Sequence, residues 1–305
     1  MSIILQQNIL QSYTKQLLAK IKEKLTNDPT YGVEIEFLPA RILNFEDMKR
    51  LELFLPKEGF LKIGATFISD KGLCITFEPG GQIEYCTPPV SSDNFAIFER
   101  FFEQILQMNS KISEKLNIEY VATGYIPNRA DAAVCLKAKR YTTLHNRLGF
   151  TGTRGREMMK GTASIHLHTG LRSLDKIPLI YKTLCRMAES RDFIMSQERK
   201  DIWENTDPLR CDMPEIDLDH IDTWNLLEKI VHHALSAPDL YQNIPLYQIN
   251  DLTFNYFLIH LTTIFTSVRL NMKGPTFELR TLDSMPVNKM SEKLKLFISM
   301  LEQKL

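Results

Sequence analysis

Phe77-Glu78-Pro79-Gly80-Gly81-Gln82-Ile83-Glu84 is the stretch on which the reading of this chain turns: two carboxylates bracket a Pro-Gly-Gly corner between apolar, β-prone segments. The corner predicts a hairpin, with two strands over residues 72–85 joined at residues 79–81. Glu78 then ends one strand and Glu84 lies in the next. Acid-bearing apolar segments recur upstream in Glu34-Ile35-Glu36 and downstream in Phe277-Glu278-Leu279-Arg280. Glutamate is seldom buried without a compensating charge. Gathered by the fold, these carboxylates would call for cations, and hard oxygen ligands suit Mg²⁺ or Mn²⁺. The first expectation is a magnesium-nucleotide site.

The upstream segment supports it. Residues 31–37 alternate like a strand, so Val33, Ile35 and Phe37 share one face and Glu34 and Glu36 the other. An apolar face against the core and a paired-carboxylate face away from it suits a cation site, although E-x-E on an edge strand is commonly just solvated. The Glu-Pro-Gly-Gly-Gln-x-Glu corner is the more specific signal.

Outward from these segments, the chain reads as a globular protein of 305 residues with 44% hydrophobic and 24% charged content, enough to bury a substantial core as one domain spanning 1–305. Lys+Arg 37 against Asp+Glu 37 leaves no electrostatic footprint for nucleic acid or an anionic membrane. The five cysteines include no C-x-x-C pair, which speaks against a zinc knot or a disulfide scaffold and for a reducing cytoplasm. Residues 3–25 carry Asn8, Gln11, Lys15 and Lys20 among their apolar positions, a helix pattern and not a signal peptide.

Further helices are expected over 44–54, 95–116, 137–148, 177–189, 223–235, 252–265 and 289–305, the first helix stopping at residues 27–29. Further strands are expected over 118–126, 161–169 and 276–282, with a Gly-rich basic connector at 149–156 and a polar segment at 196–214. Strands separated by unequal helical insertions favour α+β with a largely antiparallel sheet.

Neither a Walker A sequence nor G-x-G-x-x-G is present, so a bound nucleotide would need metal ions and arginines at its phosphates. Arg280 and Arg269 are candidates for neutralising a transferring phosphoryl group; ordinary cross-strand ion pairing is the alternative. The 149–156 connector, with Arg156, could rest against a phosphate. His166 and His168 share a strand face and could ligate metal as neutral imidazoles, or could be hydrogen-bonded fillers. His232 and His233 point in different directions on a helix and read as structural.

Together these motifs resemble the glutamate-cysteine ligases of the plant and proteobacterial type, carboxylate-amine ligases related to glutamine synthetase. The resemblance runs through Gly32–Phe37, Phe77–Glu84, Lys139–Tyr141, Met158–Ser164, Asp201–Arg210, His260–Phe265 with Arg269, and Phe277–Asp283. It implies a curved antiparallel sheet forming a funnel flanked by helices. It also implies Mg²⁺ held by Glu34, Glu36, Glu78, Glu84 and Glu278, with His166 a further metal candidate, and ATP as co-substrate. The implied reaction phosphorylates the γ-carboxylate of glutamate and passes the acyl group to the amine of cysteine, giving γ-glutamylcysteine, ADP and phosphate, a step towards glutathione. Arg280 and Arg269 would stabilise the transferring group, and Gln82, Arg199, Trp203 and Arg210 would bind substrate. The chain departs from the family in carrying His166 and His168 where Gln and Asn are usual, and in the short stretch after Pro286.

Overall fold

The computed structural model describes residues 3–26 and 28–305; residues 1, 2 and 27, and the side chains of 3–6, lie outside the described set, and with them part of the expected 27–29 stop. The chain is α+β, built on an antiparallel sheet. Its strands are β1 (Thr30–Pro39), β2 (Leu61–Ile63), β3 (Thr66–Ile68), β4 (Cys74–Phe77), β5 (Ile83–Cys86), β6 (Val90–Ser91), β7 (Tyr120–Val121), β8 (Ser164–Gly170), β9 (Val268–Asn271) and β10 (Thr276–Asp283). The spatial order is β2-β3-β4-β5-β1-β8-β10-β9, with β6 and β7 paired onto the two ends of β1.

The helices are α1 (Ile3–Lys22), α2 (Phe45–Phe54), α3 (Phe95–Leu116), α4 (Lys139–Thr151), α5 (Gly155–Gly161), α6 (Ile177–Glu189), α7 (Gln197–Glu204), α8 (Pro208–Cys211), α9 (Thr223–Ser236), α10 (Phe254–Leu261) and α11 (Val287–Glu302). Among the described residues, no helix is long and apolar enough to cross a membrane. The limits follow local chemistry. At the start of α2, the Asn44 side chain accepts from the Asp47 amide and the Asp47 carboxylate accepts from the Asn44 amide, a reciprocal capping box. The segment expected to be helical from 252 starts at Phe254 because Thr253 caps it, accepting from the Tyr256 amide.

Strand β1 alternates in burial as its sequence predicts. Tyr31, Val33, Ile35 and Phe37 are buried, and Glu34 and Glu36 stand half-buried on the opposite face. The apolar face joins one large core with Phe98, Phe102 and Ile105 of α3, Ile180 and Leu184 of α6, and Leu294 and Phe297 of α11. A second, smaller core of Leu144, Leu148, Met158, Met159 and Ile202 unites α4, α5 and α7.

The largest differences from the sequence reading lie next to this second core. The strand expected over 118–126 is reduced to Tyr120–Val121, which pairs with Pro39 and Leu38; beyond it only Tyr125 bridges, to Thr162. Helix α4 runs on to Thr151, and α5 takes the end of the basic connector and the first residue of the expected 161–169 strand. The polar 196–214 segment folds into α7 and α8.

Candidate active site

Period-two alternation on neighbouring antiparallel strands brings the acids together. Glu34 on β1 faces Cys86 of β5 on one side and His166 of β8 on the other, and Glu36 faces Glu84. His168 faces Glu278 of β10, which in turn faces Arg269 of β9. Thr76 of β4 faces Glu84. The result is a polar row across β4-β5-β1-β8-β10-β9, with Glu78 at the hairpin corner.

The corner itself is clamped. The Glu78 amide donates to Gln82 O at 2.9 Å, and Gly81 adopts φ +83°, a left-handed conformation glycine allows. A Cβ on Gly80 would lie 2.5 Å from Lys160 O, so that residue must be small. Gln82, expected to face substrate, is buried; its Oε1 accepts from the Gly80 amide at 2.8 Å and its Nε2 donates to Thr162 O at 3.0 Å and Met159 O at 3.3 Å. The Cys135 amide donates to Pro79 O at 2.7 Å, and the Tyr120 hydroxyl to Gly81 O at 3.1 Å.

Charge along the row is uneven. Glu278 is fully buried and accepts from Arg269 Nε (2.9 Å) and Nη2 (3.2 Å), Arg280 Nη1 (2.9 Å) and Asn271 Nδ2. Enclosure disfavours its charge, yet Arg269, His168 and Arg280 hold its pKa down to about 2. Glu34 is likewise held well below the usual carboxylate range, against the cost of enclosure, by His168 and His166. Glu78 and Glu84 are the reverse. Enclosure and then Glu36 and Glu34 push Glu78 up to about 8. Enclosure followed by Glu34, Glu78 and Glu36 raises Glu84 well above its ordinary value. That end of the row has more negative charge than its protein neighbours can neutralise.

His166 and His168 differ. Burial and then Arg280 lower the His166 pKa; its Nδ1 donates to Glu34 Oε2 at 2.9 Å, and its Nε2 lies 2.7 Å from Ser164 Oγ, whose hydroxyl also reaches Glu36 Oε2 at 2.9 Å. The Ser164 amide donates to Glu36 Oε2 at 2.7 Å. His168 is buried too, but its Nε2 lacks a hydrogen-bond partner among the described residues and lies 3.5 Å from Glu34 Oε1. Three ligand sets each have their atoms within 4.8 Å of one another: Glu34, Glu84 and Cys86; Glu34, His168 and Glu278; Glu36, Glu84 and His166. An orphaned buried ring nitrogen beside Glu34, in a row whose other end gathers Glu36, Glu78 and Glu84, fits a divalent cation.

Other expected site residues sit elsewhere or are already engaged. Arg199 is fully buried, donating to Leu282 O and Asp283 Oδ1 at 2.8 Å each, and stacks over Trp203 at 5.4 Å. Trp203 Nε1 donates to Phe265 O at 2.9 Å. Arg210, also fully buried, pairs with Asp207 at 3.2 Å and donates to Thr263 and Pro238. These three therefore join α7 and α8 to β10 and the 263–265 segment. Arg156 lies on α5 against Gly149, its Nε without a partner among the described residues. Arg269 and Arg280 do border the row, but both are turned to Glu278.

Thr76, Cys86, Ser164 and Asn271 were not singled out from the sequence. Each stands two residues from a residue that was (Glu78, Glu84, His166 and Arg269), so the same-face rule applied one step further along each strand finds them all.

The family model for glutamate-cysteine ligase family 2 matches residues 30–189. None of the curated proteins matches by sequence. Among solved structures, the chain is similar to a bifunctional glutathione synthetase from Pasteurella multocida, at 12% identity and TM-score 0.44 over 93% of this chain and 39% of that one. It is also similar to a glutamate-cysteine ligase from Francisella tularensis in complex with AMP, at 12% identity and TM-score 0.44 over 89% and 71% of the two chains. The chain thus spans well under half of the bifunctional protein's length. The family match begins at β1, takes in the hairpin and β8, and ends with α6, just over half of the sequence: the chain belongs to glutamate-cysteine ligase family 2.

Proposed function

We propose that the chain is an ATP-dependent carboxylate-amine ligase, a single catalytic domain over residues 1–305, that joins the γ-carboxylate of glutamate to the amine of cysteine through a γ-glutamyl phosphate. The observation that carries this reading is the uneven row: carboxylates unneutralised at Glu78 and Glu84, beside a Glu278 held ionised by Arg269 and Arg280. Phosphoryl transfer is helped chiefly by positioning and by cations around the transferring oxygens.

Glu34, Glu36, Glu78, Glu84, Glu278 and His168 would hold Mg²⁺ or Mn²⁺, joined by His166 where Ser164 releases its Nε2, and the ion when bound supplies charge neutralisation for the phosphates. The protein's own part is orientation. Gln82 and Gly80 fix the corner carrying Glu78, and Ser164 fixes Glu36 and His166. Glu278 holds the Arg269 and Arg280 guanidiniums at the edge of the row, where Arg280 Nε still lacks a partner among the described residues and could turn to a phosphate oxygen.

The test is ADP release from Mg-ATP and glutamate with cysteine, and then with other amines in turn. Glutamate- and cysteine-dependent ADP together with γ-glutamylcysteine is the expected result. ADP release only with another amine would move the reading to a related ligase with a different acceptor, and none with any amine would leave a binding homologue.

A further inference from the structure

The acid row contains a thiol. Cys86 is a free, half-buried cysteine on β5, two residues past Glu84 and directly opposite Glu34. Its Sγ and one oxygen from each of Glu34 and Glu84 lie within 4.8 Å of one another. Glu34 also borders the buried Nε2 of His168, 3.5 Å from its Oε1 and without a hydrogen-bond partner among the described residues. Sulfur, carboxylate oxygen and imidazole nitrogen therefore converge on Glu34.

The geometry points to a thiophilic metal position made by Cys86, Glu34 and Glu84, with His168 next to Glu34, which takes a soft or borderline divalent ion such as Zn²⁺ or Cd²⁺. It rests on the same carboxylate row as the ligase reading but needs no catalysis. Thiolate selects for zinc-like ions where carboxylate and carbonyl suit magnesium. When the sulfur-metal bond forms, the thiol proton leaves to solvent. Because Glu34 and Glu84 belong to both ligand sets, a soft ion bound here and a hard ion on the carboxylates compete. Cys74 lies opposite Cys86 across the β4-β5 pair but joins none of the three ligand sets, so the position depends on one of the two thiols.

The experiment is a Cd²⁺ titration of the reduced, metal-free full chain, followed by the ultraviolet thiolate-to-cadmium charge-transfer band. The band is expected in the wild type and in Cys74→Ser, is lost in Cys86→Ser, and needs at least about tenfold more Cd²⁺ in Glu84→Gln or under excess Mg²⁺. No band in the wild type, a full band in Cys86→Ser, or indifference to Glu84→Gln overturns the proposal. A second measurement needs no variant: Cd²⁺ protects Cys86 of the wild type from alkylation, mapped by peptide mass spectrometry, and unchanged alkylation overturns the proposal equally. A chain that forms the band yet releases no ADP keeps this inference and loses the ligase reading. Turnover without a band does the opposite.

Discussion

The sheet face and the α7–α8 segment both gather charge, and they treat it in opposite ways. Around Arg199 and Arg210 each buried guanidinium meets backbone carbonyls and one aspartate, so its charge is matched where it stands. On the sheet, Glu78 and Glu84 face other glutamates. Matched buried charge is a structural joint. Acids gathered face to face beside a clamped turn suit a bound cation. Burial alone does not tell them apart, since the arginines of the joint are no more deeply buried than Glu278 of the site.

Five variants press on this contrast. The largest expected effect is on the joint: Arg210→Met takes the donor from the buried Thr263 and Pro238 carbonyls and leaves buried Asp207 to Arg147 alone, and should lower unfolding stability in urea by roughly 3–5 kcal/mol. A loss under about 1 kcal/mol would mean that Arg210 is not a joint.

At the site the order inverts. Glu78→Gln should lower glutamate-dependent ADP release by about 100-fold, roughly 3 kcal/mol of barrier, while the metal-free variant melts no lower than the wild type. Glu278→Gln should lose both turnover and stability, because Arg269 and Arg280 are left without their carboxylate. Equal melting of the two variants would erase the distinction between matched and unmatched acids.

The joint also predicts a pH dependence. Burial first, then Arg210, hold His260 down to about 4, with Arg147 adding to this and Asp239 and the Ala234 backbone opposing. Below its unfolded value of about 6.5 the unfolded chain takes up a proton that the folded chain refuses, so stability falls as pH drops from about 6.5 to 4, by about 3 kcal/mol. His260→Gln should flatten that slope in urea melts at successive pH values; an unchanged slope would place the proton elsewhere. The smallest effect is Arg280→Lys, which should lower kcat by about tenfold with little change in ATP binding, since a point charge cannot replace the planar fork. Weakened ATP binding at unchanged kcat would assign Arg280 to the nucleotide alone.

Where the pattern is periodic, the sequence was informative. Glu34 and Glu36 opposite Val33, Ile35 and Phe37, and Glu278 beside Arg280, follow from two-residue alternation, and so do the antiparallel hairpin and the α+β class. What alternation cannot encode is which partner waits across the strand. His166 and His168 look equivalent in Thr162–Thr169, yet Ser164 and Glu34 lie against both nitrogens of one ring, while Nε2 of the other has no hydrogen-bond partner among the described residues. Arg199 and Arg210 look like ligand-binding arginines because a guanidinium that meets a substrate and one that meets main-chain carbonyls have the same sequence. Gln82 is hidden for the same reason: its partners, Thr162 and Met159, come from a helix end about eighty residues later.

The register of β1 has a consequence for how the molecule comes into being. Glu34 is bonded to His166 at a separation of 132 residues, and β8 pairs with β10 more than a hundred residues further on. Contacts of such long sequence separation close large loops and slow folding. The row is complete only once β10 has left the ribosome, and until β8 has emerged β1 carries two exposed glutamates on a strand with no neighbour on its β8 side. Their mutual repulsion discourages that strand from pairing with a second nascent chain. The acids gathered on one sheet face in the finished protein are, in the unfinished one, a guard against aggregation.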